Sequence, residues 1–133
     1  MSAILFSTEH SWIKQLDDGT ALVGISDYAQ EQLGDIVFVE APEVGRDFVV
    51  DEEVGTIESV KTNGELCAPA TGSVLEINRA VIDAPELINE SALDDGWIFR
   101  MRVDDPDALQ ELMGEDDYAD FIFTAELKWE IDG

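Results

Sequence analysis

Between residues 20 and 77 the chain is cut into short runs of β-forming residues by Gly, Pro and Asn-Gly at close intervals. The runs read "TALVGI", "DIVFVEAP", "DFVVDEEVGTIESV", "ELCAPA" and "GSVLEIN". Val, Ile, Thr and Phe suit a pleated, half-buried surface, so this spacing predicts a compact β sandwich or barrel. Residues 96–103, "GWIFRMRV", add a strand by alternation, with Trp97, Phe99, Met101 and Val103 on one side and Arg100 and Arg102 on the other.

Helices are expected only at the flanks of this region. Ser26 or Asp27 caps "DYAQEQL" and Gly34 stops it, which predicts a two-turn helix over 27–33. Beyond Asp105-Pro106 the period changes. Leu109, Leu112 and Met113 fall at helical spacing behind an Asp cap and an N1 proline, and "DDYADFIF" continues the pattern or starts anew after Gly114, so short helix is expected within 106–122. The final "TAELKWEIDG" fits no pattern. Trp12, Trp97 and Phe99 read as core, and Trp129 as a tail residue or partner contact.

With 133 residues, 45% of them apolar, the chain is long enough for one domain, 1–133, to bury a core without cross-links. Its 31 acidic against 7 basic residues give a net charge of -24, which argues against nucleic acid and anionic membranes and for partners with a basic face. Such a balance also suits a cytoplasm rich in salt, where screening removes much of the self-repulsion. Cys67 is the only cysteine, the N-terminal "MSAILFSTEHSW" lacks the basic region of a secretory signal, and no run reaches the roughly 20 apolar residues of a membrane span. A cytoplasmic monomer is the expectation.

Few residues besides one lysine offer chemistry. Asp17-Asp18, Asp94-Asp95, Asp104-Asp105 and Asp116-Asp117 are turn and cap residues without a calcium-loop pattern, and one histidine with one cysteine cannot build a zinc site, so no metal is expected. His10 has no serine or cysteine motif to activate, and Cys67 reads as a small buried residue. No catalytic residue is assigned. Lys61, by contrast, is one of three lysines and lies in "SVKTNGEL", where Asn63-Gly64 predicts a type I′ hairpin tip. Residues alone leave two readings: a solvated tip lysine, or an amine presented rigidly to a modifying enzyme. Ala41-Pro42-Glu43-Val44-Gly45 is echoed by Ala68-Pro69-Ala70-Thr71-Gly72, three of five positions agreeing, on either side of Lys61.

The order and spacing of "HSW", "VGISDYAQEQLGDIVFVEAPEVG", "IESVKTNGELCAPATGSVLEIN", "PELIN" and "GWIFRMRV" resemble the glycine cleavage H-protein family of lipoyl carriers. The resemblance implies a barrel-sandwich hybrid fold, lipoic acid in amide linkage on Lys61, and recognition by the modifying enzyme through Glu58 and Gly72. It also implies partners: glycine decarboxylase, aminomethyltransferase and dihydrolipoyl dehydrogenase, with a lipoate ligase or lipoyl-synthesis enzymes to load the lysine. Biotin is the weaker choice, since a biotinyl lysine lies between methionines and Lys61 lies between Val60 and Thr62. Contacts to the arm are expected from Glu9, His10, Ser11 and Glu65. Here the sequence departs from the family, with Ser11 where it carries Glu, and Thr62-Asn63-Gly64-Glu65 in place of small residues and Ser-Asp. Two alternatives follow: a lipoate-binding paralogue serving a heterodisulfide-reductase-like complex of sulfur oxidation, and an acidic interaction module whose lysine is never modified.

Overall fold

The computed structural model describes residues 4–132, with side chains to residue 124. Among the described residues, nine strands form two antiparallel sheets. The larger has the order β1 (Ile4–Phe6), β2 (Ser11–Gln15), β3 (Thr20–Ile25), β9 (Phe99–Val103), β8 (Gly72–Ile77), β5 (Asp47–Phe48). The smaller has the order β4 (Ile36–Glu40), β6 (Glu53–Ser59), β7 (Asn63–Cys67). Side chains of one parity from each sheet meet in a shared core: Ile13, Val23, Val74, Phe99 and Met101 from the larger, Val39, Ile57 and Leu66 from the smaller. Burying such apolar faces is the dominant driving force for folding, at about 25 cal/mol per Å² of apolar surface.

The echoed Ala-Pro segments have equivalent places. One leads from β4 to β5 and the other from β7 to β8, each crossing from the small sheet to the large one. β5 and β8 then pair, Asp47 opposite Ser73 and Phe48 opposite Gly72.

Helix α1 covers Asp27–Leu33, where the sequence placed it, with Ser26 Oγ accepting the Ala29 N–H and Gly34 at the C-cap. The helical expectation for 106–122 is corrected in form. Pro106–Glu111 is a 3-10 helix, Leu112 is extended, and a separate α4 runs Glu115–Asp132. Phe6 and Met113 exchange backbone hydrogen bonds of 2.8 and 2.9 Å, and this bridge to β1 forces the break. Two five-residue helices were not expected, α2 (Arg79–Asp83) and α3 (Leu87–Ser91). Strand β9 begins at Phe99, later than the alternation suggested. Trp97 is only half-buried, packing against a second small cluster of Phe6, Trp12 and Tyr118. Trp12 is fully buried and donates its indole N–H to Ala92 O at 2.9 Å. The side chain of Trp129 lies outside the described residues.

The hairpin turn is also corrected. Glu58 pairs with Asn63 and Ile57 with Gly64, so Asn63-Gly64 belongs to β7 and the tip is Ser59-Val60-Lys61-Thr62. Neither Asn63 nor Gly64 has the positive φ that a type I′ turn requires. The register is set instead by burial of Ile57 and Leu66, both 1% exposed, since a one-residue slip would turn them outward.

Candidate functional site: the Lys61 hairpin tip

Strands β6 and β7 project their shared tip to the end of α1. Ser59 organises the turn: its N–H and Oγ both donate to Thr62 O (2.8 and 2.9 Å), and its Oγ accepts the Thr62 N–H at 3.1 Å. Val60 N–H donates to Asp35 O at 3.0 Å, tying the tip to the α1–β4 turn. Gly64 leaves a notch filled by Leu33 of α1, whose Cδ2 would lie 3.0 Å from any Cβ placed at position 64. The glycine therefore serves close approach and not the turn. Lys61 is exposed, and among the described residues it makes no ion pair. Its aliphatic stem lies over Gly34, so that an amine on a flexible chain rises from a fixed base.

Around the lysine the surface is part apolar and part acidic. A bulge between Ile36 and Phe38 lets Val37 and Phe38 both face solvent, at 54% and 49% exposure, and Val60 is 69% exposed. Further from the tip, Glu40, Thr56 and Glu65 form one cross-strand row. Hydrogen bonding to Glu65, with the charges of Glu65 and Glu40, raises the Glu53 pKa. An apolar rim suits a hydrophobic arm, while the carboxylates favour a basic partner.

The residues singled out from sequence divide. Glu58 is half-buried beside the tip, with Asn63 and Phe38 as cross-strand neighbours. Gly72 is buried in the other sheet, where a Cβ would stand 1.9 Å from Arg102 O, so packing alone accounts for it. Glu65 is exposed on the outer face of the small sheet, and Glu9 is exposed on the β1–β2 loop. Ser11 is buried with its Oγ 2.8 Å from that of Ser7, which directs it away from the surface. His10, at φ 68°, sets Nδ1 2.7 Å from the Tyr118 hydroxyl, which is itself 2.7 Å from Ser26 Oγ. Burial lowers the His10 pKa, opposed by the charge of Glu9. Cys67 is buried, and desolvation with the surrounding carboxylates, Glu9 foremost, raises its thiol pKa. A protonated buried thiol is a poor nucleophile.

Sequence reasoning missed Leu33, Gly34 and Asp35 as the base of the tip. The signal available was "LGD" directly before a strand, a helix stop that must turn the chain back sharply. A cleft of about 400 Å³ lined by Phe6, Val50, Pro69, Leu112 and Met113 takes no residue from the tip or from α1.

The two packed sheets raise Lys61 on a hairpin braced by α1, an arrangement suited to a carrier protein. The family model described as Glycine cleavage H-protein matches residues 4–125. The glycine cleavage system H protein of Parvibaculum lavamentivorans is 44% identical over 122 residues, 92% of this chain and 97% of that one. Its counterpart from Oceanobacillus iheyensis is 47% identical over 119 residues, 90% of this chain and 94% of that one. The crystal structure of a glycine cleavage system H protein from Mycobacterium marinum superposes with a TM-score of 0.80 at 36% identity, covering 87% of this chain and 93% of that chain. The chain belongs to the glycine cleavage H-protein family.

Proposed function

We propose that this protein is a lipoyl carrier of the glycine cleavage system, with lipoic acid held in amide linkage on Lys61 Nζ. The observation that carries the reading is the exposed amine on a braced hairpin tip, in a chain whose relatives are glycine cleavage H proteins. Lys61 fits the group. Its amine is accessible, and Val60 and Phe38 offer apolar surface to the arm. The amide forms when the neutral amine attacks the carboxyl carbon of an activated lipoyl donor such as an acyl adenylate; the leaving group departs with its electron pair and Nζ gives up a proton. When bound, the dithiolane would supply reductive acceptance of an aminomethyl group, with the flavin of dihydrolipoyl dehydrogenase as the two-electron oxidant that restores the disulfide.

The chain itself supplies position, and no residue in it needs to act as acid or base. Tethering raises the local concentration of the dithiol at each partner's site. The partners are glycine decarboxylase, aminomethyltransferase and dihydrolipoyl dehydrogenase, with a lipoate ligase or lipoyl-synthesis enzyme for loading. The net charge of -24 favours basic docking faces on each and keeps copies of the carrier apart as cytoplasmic monomers. The names of the relatives favour this role over the sulfur-oxidation paralogue. Reconstitution tests it: the lipoylated protein mixed with glycine decarboxylase should support exchange of the glycine carboxyl with bicarbonate. An absence of exchange with fully lipoylated protein would favour the heterodisulfide-reductase-like client.

A further inference from the structure

The segment "PELIN" carries part of the family resemblance, and its last residue, Asn89, reaches the turn that braces the hairpin. We infer that Asn89 is a positioning residue for acylation of Lys61: it locks the α1–β4 turn against which the hairpin tip is braced. This inference rests on Lys61 being the acylated residue.

Every polar atom of the Asn89 side chain is used, and all on one stretch of chain. Oδ1 accepts the Ile36 N–H at 2.9 Å, and Nδ2 donates to Gln30 Oε1 and to Gly34 O, each at 2.9 Å. Those three partners lie in α1, at its C-cap and at the first residue of β4. The stretch needs such a lock. Gly34 sits at φ 83°, ψ -154°, a region that glycine alone populates readily, and carbonyls at a helix C-terminus lack intrahelical partners. Asn89 fixes this conformation by holding the carbonyl of Gly34 and the amide two residues on.

The same turn then holds the tip at three points. Asp35 O accepts from Val60 N–H, Gly34 lies beneath the Lys61 stem, and Leu33 fills the Gly64 notch. Asn89 is anchored in turn, because its neighbour Ile88 is fully buried in the core. A chain of contacts thus runs from the core through Asn89 and the turn to the backbone of Val60 and the stem of Lys61. An enzyme that acylates one lysine must find the tip in one shape, and any fraction of time the tip spends elsewhere weakens apparent binding by that fraction. Releasing the turn should therefore raise KM for acylation and leave kcat alone.

The test uses the full chain with Asn89→Asp, which keeps the acceptor for Ile36 but loses both donors, and Asn89→Ser as a milder variant should the first fail to fold. Amide exchange is read at Val60, with Ile57 and Met101 as references in the two sheets, beside steady-state acylation by a lipoate ligase. Losing a hydrogen bond that closes the turn should speed exchange at Val60 by about tenfold, with both references unchanged. The KM for the carrier should rise by about the same factor at constant kcat. The inference is overturned if Val60 keeps its protection, if all three amides accelerate together, or if acylation proceeds at the wild-type KM. Should the wild-type chain itself resist acylation, the carrier reading fails, while exchange at Val60 still reports on the lock.

Discussion

The stem of Lys61 crosses directly over Gly34: a methyl group at position 34 would lie 3.1 Å from Lys61 Cε and 3.7 Å from Nζ. The residue that presents the amine and the residue that ends α1 are therefore one structural unit. Gly34→Ala combines this crowding with a backbone region hostile to side chains. It should lower stability by about 1–3 kcal/mol, read as a drop in the urea midpoint at unchanged slope.

Lys61→Arg is expected to behave in the opposite way. An exposed tip residue contributes little to the fold, so stability should stay within about 0.5 kcal/mol of wild type while lipoate incorporation is abolished. Loss of the cooperative unfolding transition in this variant would show that the lysine carries packing that its exposure does not reveal.

Gly72→Ala should be among the most damaging single changes. Its Cβ would meet Arg102 O at 1.9 Å and Met101 Cε at 2.7 Å, so β8 and β9 cannot keep their pairing. A loss of more than about 4 kcal/mol is expected, visible in denaturant titration or as failure to accumulate folded protein.

His10 makes stability depend on pH with a defined sign. Its pKa in the folded chain lies below the ordinary 6.5, because burial disfavours the imidazolium. The unfolded chain thus takes up this proton first, and the stabilisation is complete above pH 6.5 and is lost as pH falls through the lowered folded value. Glu53 works the other way. Its folded pKa is raised above 4.5, so its contribution is present below that value and lost as pH rises through the folded one. His10→Asn, chosen because asparagine tolerates φ 68°, cancels the Glu53 effect by comparison. As pH falls from 7 to 5, wild type should lose stability relative to this variant; a constant difference would show that His10 does not titrate in that range.

Much of the β architecture was legible because it rests on local rules. Alternation in "FRMRV" put Phe99, Met101 and Val103 inward, and the cap and stop of α1 were readable at Ser26 and Gly34. Failures came where one residue serves two physical purposes. Gly64 follows an asparagine as a turn glycine would, yet it is needed for the approach of Leu33, a contact 31 residues away in sequence and invisible to any local pattern. Helices α2 and α3 span five residues each, too short to show a period, and they flank Pro85. The break between the 3-10 helix and α4 depends on Phe6 pairing with Met113, again a long-range event. At the site, Lys61 stood out by scarcity and spacing, while Asn89 did not, because its importance lies in three partners that only the fold assembles.

Mass spectrometry of the intact protein after incubation with a lipoate ligase, ATP and lipoate tests most directly whether Lys61 carries lipoate. One lipoyl increment is expected, mapped by fragmentation to Lys61, with Lys14 and Lys128 unmodified. An unshifted mass, or an increment on either of the other lysines, would contradict it.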